Sequence, residues 1–163
     1  MSTKLPNTDH YNATPAQIMA MLSDPEYATT KYTELGDVAF TVKNHEATDG
    51  GLNVTVDREV AANLPDMAKK VLGETTKMEQ TEVWRADGDA FVGNMVMKSS
   101  SPVAITATNT IKPAGDGADW TVEFDIKASV PLIGGKIEKM VAEETKSSLV
   151  KEFAFNQNWL ANH

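Results

Sequence analysis

The sequence contains no cysteine, which excludes a disulfide framework, a thiolate metal site and a cysteine nucleophile. It has no apolar run near the ~20 residues that a transmembrane helix needs. Its first ten residues also lack the apolar core of a secretory signal peptide. We therefore expect a cytoplasmic protein without stable membrane insertion.

Basic residues are few and scattered. The chain has 15 Lys and Arg against 23 Asp and Glu, a net charge of −8, and Lys69-Lys70 is the only adjacent basic pair. Nucleic-acid binding needs clustered cations that displace counterions, so we expect no nucleic-acid partner. The 163 residues, 41% of them hydrophobic, suit one soluble domain over residues 1–163.

Signatures of catalysis and metal binding are also missing. The histidines, His10, His45 and His163, are far apart in sequence, and no two of them have the i, i+4 spacing of a helical metal site. Gly134-Gly135-Lys136 could bind an anion before a helix, but the phosphate-loop spacing is absent and a closely packed strand-to-helix joint explains it better. The sequence thus predicts no catalytic residue, no metal ligand and no cofactor.

The N-terminal third begins with a strand and two short helices. Residues 3–11 predict a strand, and Pro6 places it at a sheet edge or a bulge. Thr14-Pro15-Ala16-Gln17 has the pattern of a capping box and predicts a helix start. Ser23-Asp24-Pro25 breaks this helix, and residues 26–35 predict a second one.

The middle of the chain predicts an antiparallel meander, because alternating apolar residues are separated by turns such as Asp49-Gly50-Gly51 and Asp87-Gly88-Asp89. The predicted strands cover residues 39–47, 52–60, 75–86, 90–99, 103–112 and 118–130, with a turn at residues 113–117. A short helical segment follows Asn63-Leu64-Pro65 and ends at Gly73. The insertion at residues 61–73 is either a lid over a cavity or a packed connection.

The C-terminal quarter carries the clearest pattern. Every second residue from Trp120 to Val130 is apolar, which predicts a strand with one buried face. After Gly134 the period changes to about 3.6 for roughly 25 residues, which predicts a long amphipathic helix. The whole order predicts an α+β fold: about seven antiparallel strands, short helices between the first and second strands, and a long C-terminal helix.

A row of polar residues lies inside the apolar sector of the long helix. At about 100° per residue the row comprises Thr145, Ser148, Glu152 and Asn156. It is flanked by Ile137, Val141, Phe155 and Trp159 on one side and by Leu149, Phe153 and Leu160 on the other. An unpaired buried polar group costs about 1–3 kcal/mol. The row therefore either lines a cavity, or the helix turns so that Glu152 and Asn156 reach solvent or strand side chains.

The element order resembles the helix-grip fold of the START-like superfamily. The segment Val130-Pro131-Leu132-Ile133-Gly134-Gly135-Lys136-Ile137-Glu138, with Leu64-Pro65, Trp84 and Ser101-Pro102-Val103, resembles a bacterial group in it, domain-of-unknown-function family 2505. The resemblance implies a curved sheet wrapped around the C-terminal helix with an apolar cavity between them. We expect the cavity to be lined by the polar row together with Val141, Trp84, Met95 and Phe124.

Three functions remain open from the sequence. The first is binding of a small hydrophobic or amphipathic molecule, such as a lipid, isoprenoid or polyketide-like compound, in this cavity, by a monomer or weak homodimer. The second is an enzyme of the cyclase or dehydratase kind, with Glu152 as a cavity carboxylate beside a tyrosine or histidine. The third is an interaction module whose core is filled by side chains.

Overall fold

The computed structural model describes residues 2–163, which contain seven strands and four helices. The strands are β1 (Thr3–Tyr11), β2 (Ala39–Thr48), β3 (Gly51–Ala61), β4 (Thr75–Asp87), β5 (Ala90–Ser99), β6 (Val103–Ala114) and β7 (Gly117–Ala128). The helices are α1 (Pro15–Leu22), α2 (Pro25–Glu34), α3 (Asp66–Leu72) and α4 (Gly134–Asn162). The predicted α+β element order is confirmed.

The strands form one antiparallel sheet in the order β1-β7-β6-β5-β4-β3-β2. Consecutive strands from β2 to β7 are neighbours, and β1 returns to pair with β7. The edge position predicted for β1 is confirmed, and it tolerates Pro6 because an edge strand need not donate from every backbone N–H. The two N-terminal helices span the gap between the edge strands β1 and β2.

One predicted turn is wrong in length. Residues 113–117 were expected to form it, but β6 runs through Ala114, where Pro113 pairs with Ala118, and β7 begins at Gly117. Gly115 has φ 58°, a left-handed conformation that makes the tight reversal possible. A Cβ on Gly117 would lie 1.9 Å from the carbonyl oxygen of Tyr11, so β1 can approach only a glycine there.

The capping box predicted at the start of α1 is confirmed. The Thr14 hydroxyl accepts a hydrogen bond from the backbone N–H of Gln17 at 3.1 Å, and the Gln17 side chain accepts one from the backbone N–H of Thr14 at 2.8 Å. Asp24 caps α2 by accepting from the backbone N–H of Glu26 at 2.9 Å. These local bonds satisfy backbone N–H groups that would otherwise lack partners at the starts of α1 and α2.

Helix α4 is tied to the sheet at its first turn. A Cβ on Gly134 would lie 2.7 Å from the carbonyl oxygen of Ala128, so the joint is closely packed as the sequence predicted. The Glu138 carboxylate accepts hydrogen bonds from the Ala128 N–H and the Thr3 hydroxyl, both at 2.9 Å. The Ala128 bond and then the Thr3 bond lower the pKa of Glu138, although its burial opposes them.

The buried side chains form two groups along α4. One surrounds Trp84 and Trp159 beneath α1 and α2; the other surrounds Phe124 and Ile137 near the start of α4. Neither group closes the space over the middle of the sheet. No helix within residues 2–163 combines the length and the apolar character that crossing a membrane requires.

Candidate functional site

A cavity of about 230 Å³ lies between the sheet and α4. Its apolar lining comes from five strands, the insertion between β3 and β4, and α4. These residues include Val60, Leu64, Leu72, Met78, Met95, Met97, Val103, Ile105, Val122, Phe124, Val141, Leu149 and Phe153. Three of them are methionines, whose flexible side chains adapt to ligands of irregular shape.

Seven of the eight residues predicted for the site line this cavity. They are Thr145, Ser148, Glu152, Asn156, Val141, Met95 and Phe124. Ser148 is exposed to solvent and therefore lies where the cavity opens. The Thr145 hydroxyl donates to the carbonyl oxygen of Val141 at 2.8 Å, within the helix itself.

Trp84, the eighth predicted residue, lies outside the cavity lining. It is 3% exposed, and its ring centroid is 5.8 Å from that of Trp120, which does line the cavity. Its cross-strand partner is Gly93, where a Cβ would lie 2.5 Å from the Trp84 ring. The glycine therefore lets the indole lie flat over β5, behind the cavity wall.

Asn156 is the most deeply buried member of the polar row, with 1% of its surface exposed. Its Oδ1 accepts from the Tyr27 hydroxyl at 2.6 Å, and its Nδ2 donates to the Tyr11 hydroxyl oxygen at 3.1 Å. Burial raises the pKa of both phenols, so they are neutral hydrogen-bonding groups at pH 7. Asn156 thus borders the cavity, as one interpretation of the polar row predicted, and also bonds to a strand side chain, as the other interpretation predicted.

Glu152 forms an ion pair with Lys31, a residue outside the site predicted from the sequence. The Lys31 Nζ lies 2.6 Å from Glu152 Oε1, and Lys31 is only 7% exposed. Burial by itself would lower the pKa of Lys31, but the Glu152 carboxylate together with Tyr27, Tyr32 and Glu82 more than offsets it, and the pKa stands well above its ordinary value. The same Nζ lies 5.6 and 5.5 Å from the ring centroids of Tyr27 and Tyr32.

A second cation borders the polar end of the cavity and is also paired. The Arg58 guanidinium donates to both carboxylate oxygens of Asp37, at 2.8 and 2.7 Å, and to Gln80 Oε1 at 2.9 Å. It lies 4.7 Å above the ring of Tyr32. Gln80 in turn donates to Glu82 Oε2 at 3.2 Å. Arg58 of β3 and Gln80 of β4 both line the cavity.

Asp9 on β1 presents a further carboxylate to the cavity. The Asn7 amide donates to its Oδ2 at 3.0 Å. Partial burial raises the pKa of Asp9, and the charge of Glu152 adds to that rise, while the hydrogen bond from Asn7 opposes it. The polar end of the cavity therefore combines hydroxyls, amides and charged groups from β1, α2, β3, β4 and α4.

The geometry gives little support to acid–base chemistry by Glu152. Its Oε1 is held by a protonated lysine, and the nearby Tyr11 and Tyr27 phenols are neutral. No histidine among residues 2–163 lines the cavity: His10 bonds to Asp119, His45 to the carbonyl of Leu22 and His163 to that of Trp159. The described residues also contain no group of three or more potential ligands that could hold a metal ion.

The insertion at residues 61–73 covers one side of the cavity. Leu64 and Leu72 line it, Ala68 of α3 is fully buried, and Asn63 Nδ2 donates to Glu144 Oε1 of α4 at 3.5 Å. The segment therefore covers one side of the cavity and also packs against the rest of the protein. Whether it opens as a lid remains a prediction.

The sheet, the closing helix and the cavity between them define a START-like protein with the helix-grip fold. The chain belongs to the family described as Protein of unknown function (DUF2505), which it matches over residues 7–160. The resemblance stated from the sequence is thereby confirmed, and the family description leaves the activity open.

Solved structures with this fold differ widely from the chain in sequence. The protein TTHA0849 from Thermus thermophilus has a TM-score of 0.70 at 12% identity, covering 98% of both chains. The Zhui aromatase/cyclase from Streptomyces sp. R1128 has a TM-score of 0.65 at 11% identity, covering 99% of this chain and 94% of its own. A START superfamily protein from Mycobacterium smegmatis has a TM-score of 0.59 at 15% identity, covering 98% and 97%. At these identities the likeness establishes the fold alone.

Proposed function

We propose that this protein binds a small hydrophobic or amphipathic molecule in the cavity between the sheet and α4. The observation that carries the proposal is a largely apolar cavity of about 230 Å³ with one polar end. Such a combination is typical of ligand sites, where apolar burial provides most of the affinity and a few polar groups set the orientation. An interaction module with a filled core fits less well, because the space over the middle of the sheet is not filled.

The cavity volume favours a compact ligand. Sites for drug-sized molecules have volumes of ~300–1,000 Å³, so this cavity suits one ring system or a short chain better than a whole phospholipid or sterol. Thr145, Ser148, Glu152 and Asn156 would contact the polar part of the ligand, and Val141, Met95 and Phe124 its apolar part. Trp84 would act only by supporting Trp120 from behind.

A cyclase or dehydratase activity is less well supported. The aromatase/cyclase among the similar structures shares only the fold with this chain. The carboxylate expected to act here is paired with Lys31, and no histidine of the described residues borders the cavity. Binding without chemistry therefore accounts best for the site.

Two matched variants of α4 test the proposal. Val141→Phe adds an aromatic ring inside the cavity, whereas Val150→Phe makes the same change at a site that is 71% exposed. Isothermal titration with 1-octanol should give one saturable site in the wild type and in Val150→Phe. Val141→Phe should weaken binding by about tenfold or more, because the added ring occupies the space that the alkyl chain of 1-octanol needs. A tenfold loss corresponds to about 1.4 kcal/mol. Equal binding by both variants, or no saturable binding by the folded wild type, would contradict the proposal.

A further inference from the structure

We propose that the polar end of the cavity is built for a cationic amine, so that the preferred ligand is an apolar molecule with a protonated amino group and not a fatty acid or other carboxylate. This inference rests on the proposed binding function and specifies its ligand class. Its basis is that the cations bordering the cavity are paired within the protein, whereas the carboxylates there keep free acceptor positions.

Both cations at the cavity are engaged by the protein itself. Lys31 is held by Glu152, and its ammonium also faces the rings of Tyr27 and Tyr32. Arg58 gives two hydrogen bonds to Asp37 and one to Gln80. A ligand carboxylate would have to compete with these internal anions for either cation, and a buried ion pair that loses a partner is strongly destabilised.

The carboxylates have more acceptor capacity left. Four of them line the cavity, from Asp9, Glu82, Glu144 and Glu152, against two cations. Within residues 2–163, Asp9 accepts one side-chain hydrogen bond, from Asn7, Glu82 accepts one, from Gln80, and Glu152 has one ion-pair partner, Lys31. An ionised carboxyl group has about four acceptor positions, so these three groups can each receive further donors.

The negative charge at the cavity exceeds the difference between its four lining carboxylates and its two lining cations, because a further carboxylate lies behind Arg58. Asp37, whose side chain is 1% exposed, neutralises Arg58 from behind, so Arg58 adds little positive potential to the cavity. An incoming anion would therefore meet uncompensated negative charge in a partly dehydrated space, where electrostatic interactions are stronger than in water. An ammonium group would meet acceptors that have free lone pairs.

The neutral groups at the same end do not reverse this preference. The Asn109 side chain, which is buried and lines the cavity, accepts from the Trp120 indole N–H at 2.9 Å and keeps its amide donors. Its amide and the Tyr11 hydroxyl can serve a neutral ligand oxygen, but they carry no charge to balance a carboxylate. A ligand hydroxyl would therefore be tolerated, an ammonium preferred and a carboxylate disfavoured.

Three probes of equal chain length separate these cases at pH 7.5. Octylamine is a cation, 1-octanol is neutral and octanoate is an anion. Isothermal titration of the full chain should show octylamine binding about tenfold tighter than 1-octanol, since one hydrogen bond to a charged group is worth about a factor of ten or more. Octanoate should bind more weakly than 1-octanol, and excess 1-octanol should displace octylamine.

Asp9→Asn and Asp116→Asn provide the matched charge control, because Asp9 borders the cavity and Asp116 lies in the exposed β6–β7 turn. Asp9→Asn should weaken octylamine binding about fivefold to tenfold, by loss of a charge-assisted hydrogen bond, and should change 1-octanol binding by a much smaller factor, because the neutral alcohol does not depend on the charge of Asp9. Asp116→Asn should leave the affinities for octylamine and for 1-octanol unchanged. Octanoate binding as tightly as octylamine, or equal loss of octylamine in the two variants, would overturn the amine preference alone. Failure of all three probes to bind would instead overturn the binding function.

Discussion

The Lys31 ammonium lies 2.6 Å from Oε1 of Glu152, and this ion pair joins α2 to α4 at the polar end of the cavity. Lys31 is almost completely buried, whereas the Glu152 side chain is 23% exposed. The pair thus sits at the boundary between the closed core under α1 and α2 and the space available to a ligand.

Replacing Lys31 by methionine should therefore destabilise the fold. The change leaves Glu152 without its partner, and removing one member of a buried pair costs about 3–5 kcal/mol. We expect urea unfolding to report a loss in this range for Lys31→Met, and recovery of most of it when Glu152→Met is added. Lys151→Met, at an exposed position of α4, is the control and should change the free energy of unfolding by less than about 0.5 kcal/mol. A loss as small as that of the control would show that the pair contributes little.

Replacing Asn156 by leucine should also destabilise the fold, because it leaves the buried Tyr11 and Tyr27 hydroxyls without their shared partner. Each unsatisfied group costs about 1–3 kcal/mol. Asn158→Leu is the matched change on the exposed side of the same helix, where Asn158 bonds only within the last turn. Chemical unfolding should separate the two variants by at least about 1 kcal/mol. Equal stabilities would mean that the Tyr11–Asn156–Tyr27 bonds are not formed in solution.

Substitution of Gly93 should disturb the aromatic wall of the cavity. A Cβ at this position would lie 2.5 Å from the Trp84 ring, so Gly93→Ala must displace Trp84 and with it the edge-on contact to Trp120. We expect a lower melting temperature and an altered near-ultraviolet circular dichroism spectrum. Gly135→Ala meets no atom within 4 Å at the start of α4 and should leave the spectrum unchanged. Identical spectra for the two variants would contradict the close Trp84–Gly93 contact.

Glu138 should make stability depend on acid pH. Its pKa is lower in the folded chain than the ordinary value of 4.5, because Ala128 and Thr3 donate to the ionised carboxylate. The unfolded chain therefore takes up the proton first as the pH falls. The stabilisation is complete above about pH 4.5 and is lost as the pH falls through the folded-state pKa.

Urea unfolding of the wild type and Glu138→Gln between pH 7 and pH 3 measures this contribution. The variant should be less stable at pH 7, and the difference should shrink toward pH 3. Glu143→Gln changes an exposed glutamate of the same helix and should follow the wild type at every pH. A difference between wild type and Glu138→Gln that is constant across this range would exclude the proposed role of the Glu138 carboxylate.

Much of the fold could be predicted from the sequence because its signals are local. Thr14 and Gln17 lie three residues apart, and both bonds of their capping box form within one turn. The alternation from Trp120 to Ala128 requires only that one face of β7 be buried. The length of the turn at Gly115 was not predictable in this way, because β6 extends through Pro113 by pairing with β7, and a proline near a strand end does not prevent this.

The residues that α4 contributes to the site could be predicted from the sequence, but their partners could not. Helical geometry alone brings Thr145, Glu152 and Asn156 onto one face of α4, and they do line the cavity. Their partners come from distant parts of the chain, and no local pattern indicates that Lys31 will meet Glu152. One signal was available: Lys31 lies four residues after Tyr27, on the face of α2 that is otherwise buried. Trp84 was misplaced because its position depends on Gly93 of the neighbouring strand.

The most direct test of the central claim, that the cavity receives an apolar ligand, is methyl NMR of the methionines during titration with 1-octanol. Met78, Met95 and Met97 line the cavity, whereas Met19 and Met21 are buried in the cluster beneath α1 and α2 and do not. We predict saturable shifts of the first three methyl signals at one common dissociation constant, with the Met19 and Met21 signals unmoved. Shifts spread equally over all five, or none up to the solubility limit of 1-octanol, would contradict the account.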